Sequence, residues 1–250
     1  MAIRKAYSFS TIIVFIVAFH CASPDKKKEE RKSQIQNFDS LSFQEKIQFF
    51  KRAEAPPKTE QEKKIWLSAL KSSDPLLLQA VLLAYSRFPQ ENARKPILKL
   101  IRIKRGITRY YALKALAALP AKQQDLPVVA LALSDKDWLA KSMAIRLIRN
   151  YPQEKKEGKY YYRLLVMLKL HNPDVVRELY KTLKWYHRES TFGFLYKRSF
   201  HAKSNPELIF IMRELNAYPH RLVTIRLKQL AKYHKSLIVR ENARKLLRTR

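Results

Sequence analysis

Three stretches decide the fold: Ala80-Val-Leu-Leu-Ala-Tyr-Ser-Arg-Phe-Pro89, Ala112-Leu-Lys-Ala-Leu-Ala-Ala-Leu-Pro120 and Ala144-Ile-Arg-Leu-Ile-Arg-Asn-Tyr-Pro152. Their leading alanines lie 32 residues apart, twice. Each stretch reads as a helix that stops at a proline, which has no N–H to continue the ladder. The phase continues at Leu179, Ile211 and Ala243, giving spacings of 32, 32, 35, 32 and 32 with one three-residue insertion. A fixed period of this length marks a chain built from one repeated supersecondary unit.

Each unit divides into two helices. The first helix of each pair covers 74–87, 106–118, 137–150, 173–186, 206–218 and 236–249. The second covers 91–104, 122–133, 154–170, 189–202 and 220–234. An earlier pair, 42–53 and 59–72, opens with two capping boxes, Ser42-Phe-Gln-Glu45 and Thr59-Glu-Gln-Glu62. Asp74-Pro75, Asn172-Pro173 and Asn205-Pro206 each place a capping oxygen ahead of a proline suited to the first helical turn. Apolar residues recur at three and four, as in Ile65, Leu67, Leu70 and Ile97, Leu98, Ile101, and no strand-like alternation occurs. The expectation is an all-α chain, an α-solenoid of stacked helical hairpins with a period of about 32 residues. A hairpin of this size cannot bury its apolar face alone, and stacking neighbours does it. Ala80, Ala112, Ala144 and Ala243 are then expected at helix crossings, where a small side chain lets neighbours approach.

The pattern resembles the HEAT and HEAT-like repeat family. The resemblance rests on the acidic or Asx residue that opens the first helix (Asp74, Asp137, Asn172 or Asp174, Asn205), on the alanine in mid-helix, and on the apolar triplets that follow. It covers about residues 74–250 and implies an α-solenoid without naming a ligand. Leu179 and Ile211 depart from the alanine, and the arginine that many such repeats carry in the second helix has no fixed place here.

Composition excludes several chemistries. Only three glycines occur, Gly106, Gly158 and Gly193, too few and too scattered for a phosphate-cradling loop or a dinucleotide fingerprint. The one cysteine, Cys21, forms no internal disulfide and no Cys-based zinc site. The histidines after residue 20 (His171, His187, His201, His220, His234) show no metal-ligand spacing, and no local Ser/His/Asp or Cys/His arrangement is present. No cofactor, metal or catalysis is expected. An apolar fraction of 46% excludes wholesale disorder.

The first twenty residues read as an address. Arg4 and Lys5 precede the apolar run Thr11-Ile-Ile-Val-Phe-Ile-Val-Ala-Phe19, which is too short to span a bilayer and fits a signal peptide. Cys21 follows directly. This arrangement resembles a bacterial lipoprotein, in which the leader is cut before a cysteine that takes a diacylglycerol. The triplet Ala18-Phe19-His20 departs from the usual pattern at His20. The resemblance implies lipidation of Cys21 and an extracytoplasmic, membrane-anchored protein of the bacterial cell envelope; a secreted or periplasmic protein is the alternative. Residues 21–38, rich in Lys, Glu and Gln, read as the lipidated cysteine and a charged tether, and 39–250 as the repeat domain.

Charge is the remaining signal. Lys and Arg number 51 against 21 Asp and Glu, a net charge of +30 that becomes +28 once Arg4 and Lys5 leave with residues 1–20. The second helices carry the candidate partner-binding set: Lys99, Arg102, Lys159, Arg163, Lys197, Arg198, Arg226 and Lys228, with Tyr160, Tyr161, Tyr162 and Tyr196 nearby. Cationic groups beside aromatic rings suit an anionic envelope component or an acidic protein partner; the same charge also suits a surface that serves solubility alone. The expectation is a membrane-anchored scaffold. The alternative is a polyanion- or nucleic-acid-binding solenoid. Some basic HEAT-like solenoids are DNA glycosylases that use Trp, Asp and Arg, and Trp66, Trp138, Trp185 and Asp137 would be the residues to ask. Asp137 fits better as a helix cap, and a secretory leader disfavours nucleic acid as partner.

Overall fold

The computed structural model describes Glu29, residues 32–168 and residues 172–250, and every regular element among them is helical. Cys21 and residues 1–28 lie outside the described residues, as does His171. The chain divides into two compact units, residues 1–81 and 82–250.

In the first unit, α1 (Phe43–Lys51) and α2 (Glu60–Ala69) begin at the two capping boxes expected. In each box the hydroxyl accepts from the third helical N–H while the glutamate accepts from the cap's own N–H, so two orphan donors are satisfied at once. The folded part starts before Asp39, the position expected from sequence. Residues 32–36 are helical, and Phe38 is buried against Phe49 and Phe50 at centroid separations of 5.4 and 5.9 Å. Phe50 in turn meets Trp66 edge-on at 5.8 Å. Edge-to-face packing of this kind adds to the area each ring removes from water; the polar run preceding Phe38 hid its one aromatic anchor.

Helix α3 (Pro75–Arg87) contains the division between the units. Asp74 caps it, its carboxylate accepting from the N–H groups of Leu76 and Leu77 at 2.8 and 3.0 Å.

The second unit continues with α4 (Arg94–Ile103), α5 (Gly106–Ala117), α6 (Leu126–Leu131), α7 (Trp138–Ile148), α8 (Pro152–Glu157), α9 (Tyr161–Met167), α10 (Pro173–Tyr186), α11 (Glu189–Arg198), α12 (Asn205–Leu215), α13 (Arg221–Tyr233) and α14 (Leu237–Arg248). Helix α5 packs on α7, α7 on α10, α10 on α12, and α12 on α14. Helices α4, α9, α11 and α13 pack against their neighbours in sequence, α5, α10, α12 and α14. Ala80, Ala112, Ala144 and Ala243 are all buried, and so are Leu179 and Ile211.

Three local expectations need correction. The helix expected over 154–170 is two helices, α8 and α9, because Gly158 turns into the left-handed region at φ 68° and closes α8. The cap of α12 is Ser204 rather than Asn205; its hydroxyl accepts from Glu207 N–H, and Asn205 and Pro206 are the first two helical residues. The helix expected over 122–133 is the short α6, entered and left through single 3-10 turns at Gln123–Asp125 and Ala132–Ser134. No helix among the described residues is long and apolar enough to cross a membrane.

Candidate anion-binding surface

The eight basic residues do not form one equivalent set. Lys99 and Arg102 on α4, Lys159 between α8 and α9, Lys197 on α11 and Lys228 on α13 are exposed. None of the five is paired to a carboxylate among the described residues, and the Lys159 ammonium lies 5.9 Å from the centre of the Tyr160 ring. The other three have structural employment. Arg163 on α9 is exposed but donates to Ser134 Oγ at 2.5 Å, across the end of the preceding hairpin. Arg226 on α13 is half-buried and makes a similar reach two hairpins further on. It donates to Ser199 Oγ and Ser199 O at 3.2 and 2.8 Å, and lies 3.8 Å over the Phe200 ring. Burial lowers its pKa. Both arginines bring positive charge to the C-terminal end of a helical segment, where carbonyls lack partners. Arg198 is half-buried in a fork with Glu207, at 2.9 Å from Nε and 2.8 Å from Nη2. Arg94, on the same helices by sequence, is buried altogether in an ion pair with Asp125. Tyrosine divides the same way: Tyr162 is 69% exposed, whereas Tyr161 is buried and bonded to Ser190 and Thr191.

Two concavities in the second unit were not legible in the sequence. One, of about 450 Å³, has Val176, Tyr180, Arg198, Lys203, Glu207 and Phe210 among its lining. Tyr180 and Phe210 stack there at 5.8 Å, and burial pushes the Tyr180 hydroxyl up to about 12. The other, of about 400 Å³, gathers Lys155 of α8, Lys181, Lys184 and Trp185 of α10, His187 after it, and Glu214 of α12. The sequence signal was present only as a Lys-Trp pair late in a helix; the convergence of Lys155 on it needed the packing of α8 against α10.

The described histidines with resolved backbone bonds serve helix ends. His220 Nδ1 accepts from Leu222 N–H at the start of α13, and His234 Nδ1 accepts from Ser236 N–H just beyond its end. His187 terminates α10 with φ 53° and stacks on Tyr218 at 5.3 Å. No group of three metal-ligating side chains occurs among the described residues. Asp137 caps α7, its carboxylate accepting from Leu139 and Ala140 N–H at 2.8 and 3.0 Å, and Trp138 is 42% exposed in the first turn. That carboxylate is occupied by the helix end. No protein-family model and no curated protein sequence matches the chain.

Proposed function

We propose that the chain is a HEAT-like α-solenoid scaffold, tethered to a membrane of the bacterial envelope through a lipid on Cys21, that presents a basic surface to an anionic envelope component or an acidic protein. The period supports the architecture, because cross-hairpin bonds recur at nearly the same separation: Arg94 to Asp125 over 31 residues, Glu154 to Tyr186 over 32, Arg250 to Tyr218 over 32. Lateral rows of equivalent positions are what stacked repeats produce. The observation that carries the binding role is the exposure of Lys99, Arg102, Lys159, Lys197 and Lys228, in a chain of net charge +30, with no carboxylate paired to any of them among the described residues. Catalysis has no part in this reading.

The test uses heparin as an acidic polymer. Retention is expected to fall steeply with salt, since exposed charges are screened over about 8 Å at physiological ionic strength. Lys197→Glu with Lys228→Glu should lower the eluting salt concentration without changing the helical spectrum. Arg198 is unsuitable as a probe because its reversal would also break the Glu207 fork. In cells, Cys21→Ser should release the protein from the detergent phase. Retention indifferent to salt and to both lysines would reduce the charge to a solubility feature.

A further inference from the structure

We propose that the groove of Lys155, Lys181, Lys184, Trp185 and His187 is a binding site for a phosphate ester carried on a ring, a phosphorylated sugar or a mononucleotide. This goes beyond the reading above: it uses none of the five basic residues that carry that reading and does not depend on the tether. Three ammonium groups line the groove against one carboxylate, Glu214. Lysine is a compact point charge that suits a phosphate, whereas the guanidinium forks of Arg94, Arg109 and Arg198 are spent on carboxylates and carbonyls.

The three lysines are held differently, and the difference assigns roles. Lys184 is anchored, its Nζ 3.2 Å from Glu214 Oε2 across the α10–α12 joint. Lys181 shares Glu178 with Arg149, at 2.9 Å each, so that carboxylate is over-supplied with cations and leaves Lys181 charge to spare. Lys155 has no carboxylate partner among the described residues; its ammonium stands 5.9 Å from the centre of the Trp185 ring. An ammonium resting on an indole is the arrangement a phosphate would compete for, because the charged hydrogen bond it offers is stronger than a solvated cation–π contact.

The indole is fixed from below. Trp185 meets Tyr186 edge-on at 5.0 Å, and Tyr186 is locked by its hydroxyl bond of 2.7 Å to Glu154. A half-buried indole beside three lysines provides a flat apolar surface next to positive charge, the complement of a ring bearing a phosphate. The open concavity of about 400 Å³ has room for a single ring with its phosphate.

Titration calorimetry on the full chain with glucose 6-phosphate, AMP, inorganic phosphate and glucose separates the parts of this proposal. At least one ester should bind about tenfold more tightly than inorganic phosphate, about 1.4 kcal/mol, and glucose should not bind. Preference for AMP identifies a nucleotide and preference for glucose 6-phosphate a phosphorylated sugar. Lys155→Ala with Lys181→Ala, both exposed positions, should weaken the ester about tenfold. Trp185→Ala should bring the ester down to the affinity of inorganic phosphate, and Trp185→Phe should restore most of the difference. Heparin retention in the lysine double variant should still depend on Lys197 and Lys228, so a failure here is distinct from a failure of the scaffold reading. Equal binding of ester and inorganic phosphate, no binding of either ester, or an ester affinity untouched in the double variant overturns the proposal.

Discussion

Between α4 and α7 the joints from one hairpin to the next are fastened by ion pairs buried on both sides; between α8 and α12 the most buried joints are hydroxyls and rings, and the ion pairs Lys184–Glu214 and Arg198–Glu207 lie nearer to water. In the first region Arg94 is 4% exposed and reaches Asp125, itself 1% exposed, and Pro120 O at 2.6 Å. Arg109 donates to Asp135 at 2.8 Å, and Asp135 also takes N–H groups from Gly106 and Asp137 at 3.3 and 3.0 Å. In the second region Tyr186 donates to Glu154, Tyr161 bonds Ser190 and Thr191, and the Arg188 guanidinium lies 4.9 Å over the Tyr161 ring. Phe192 stacks on His220 at 4.4 Å. The separations are alike, 31 residues for Arg94 to Asp125 and 32 for Glu154 to Tyr186. Contacts of nearly equal sequence separation are therefore fastened by two chemistries with opposite failure modes. A buried ion pair adds little net stability when made, because desolvation offsets attraction, but it costs several kcal/mol to break on one side. A hydroxyl bond and ring stacking fail by degrees.

The sharpest way to break this contrast is Asp125→Ala. It strands the Arg94 guanidinium in the interior with Glu91 and one carbonyl for company. The expected loss is about 3–5 kcal/mol, read from urea unfolding. A loss below about 1 kcal/mol would show that water reaches Arg94 and that the first region is no more brittle than the second.

The matching cut in the second region is Tyr186→Phe. It keeps the ring packing on Tyr161 and Trp185 and removes only the bond to Glu154 Oε1, which still accepts from Tyr160 N–H at 2.8 Å. About 0.5–1.5 kcal/mol is expected. Burial, and then the bond to Glu154, raise the Tyr186 pKa well above the tyrosine range, so the hydroxyl is a donor at neutral pH. A loss equal to that of Asp125→Ala would erase the distinction.

Sequence pattern made the helices legible because they repeat a local signal: an Asx cap, a buried alanine, a terminating proline. Asp74, Asp137 and Asn172 cap where expected, and Ala80, Ala112, Ala144 and Ala243 are buried. The breaks were less legible. Gly158 could have been a tolerated helical glycine, and only its φ of 68° shows a cap; a Cβ there would collide with the Arg188 guanidinium, a residue 30 positions away that no local window sees. Basic residues were the least legible of all. Lys197 and Arg198 are adjacent in sequence, yet one is exposed and the other is forked onto Glu207, because a helical step of 100° moves a side chain from solvent to the neighbouring hairpin. Counting charge gives the field of the molecule but does not say which cations are free.

The smallest effect, and the one that refines the contrast, lies at the rim of the first region. Glu91 is exposed and accepts from Arg94 at 2.7 and 3.0 Å while pairing with Lys122 across the hairpin. The Arg94 bond, then the Lys122 bond, hold its carboxyl at about 2, below its ordinary 4.5. A carboxylate depressed in the folded state stabilises fully above its unfolded pKa, and the contribution disappears as pH falls from about 4.5 through about 2. Glu91→Gln should therefore lower the urea midpoint at neutral pH by a small amount, and the gap to the parent should close between about pH 5 and about pH 2. Salt should shrink the same gap, because this pair faces water, whereas the Asp125→Ala loss should hardly respond to salt. If the two substitutions show the same salt dependence, the division between a dry Arg94–Asp125 contact and a wet Glu91–Lys122 contact is wrong, and the joint is one solvated cluster.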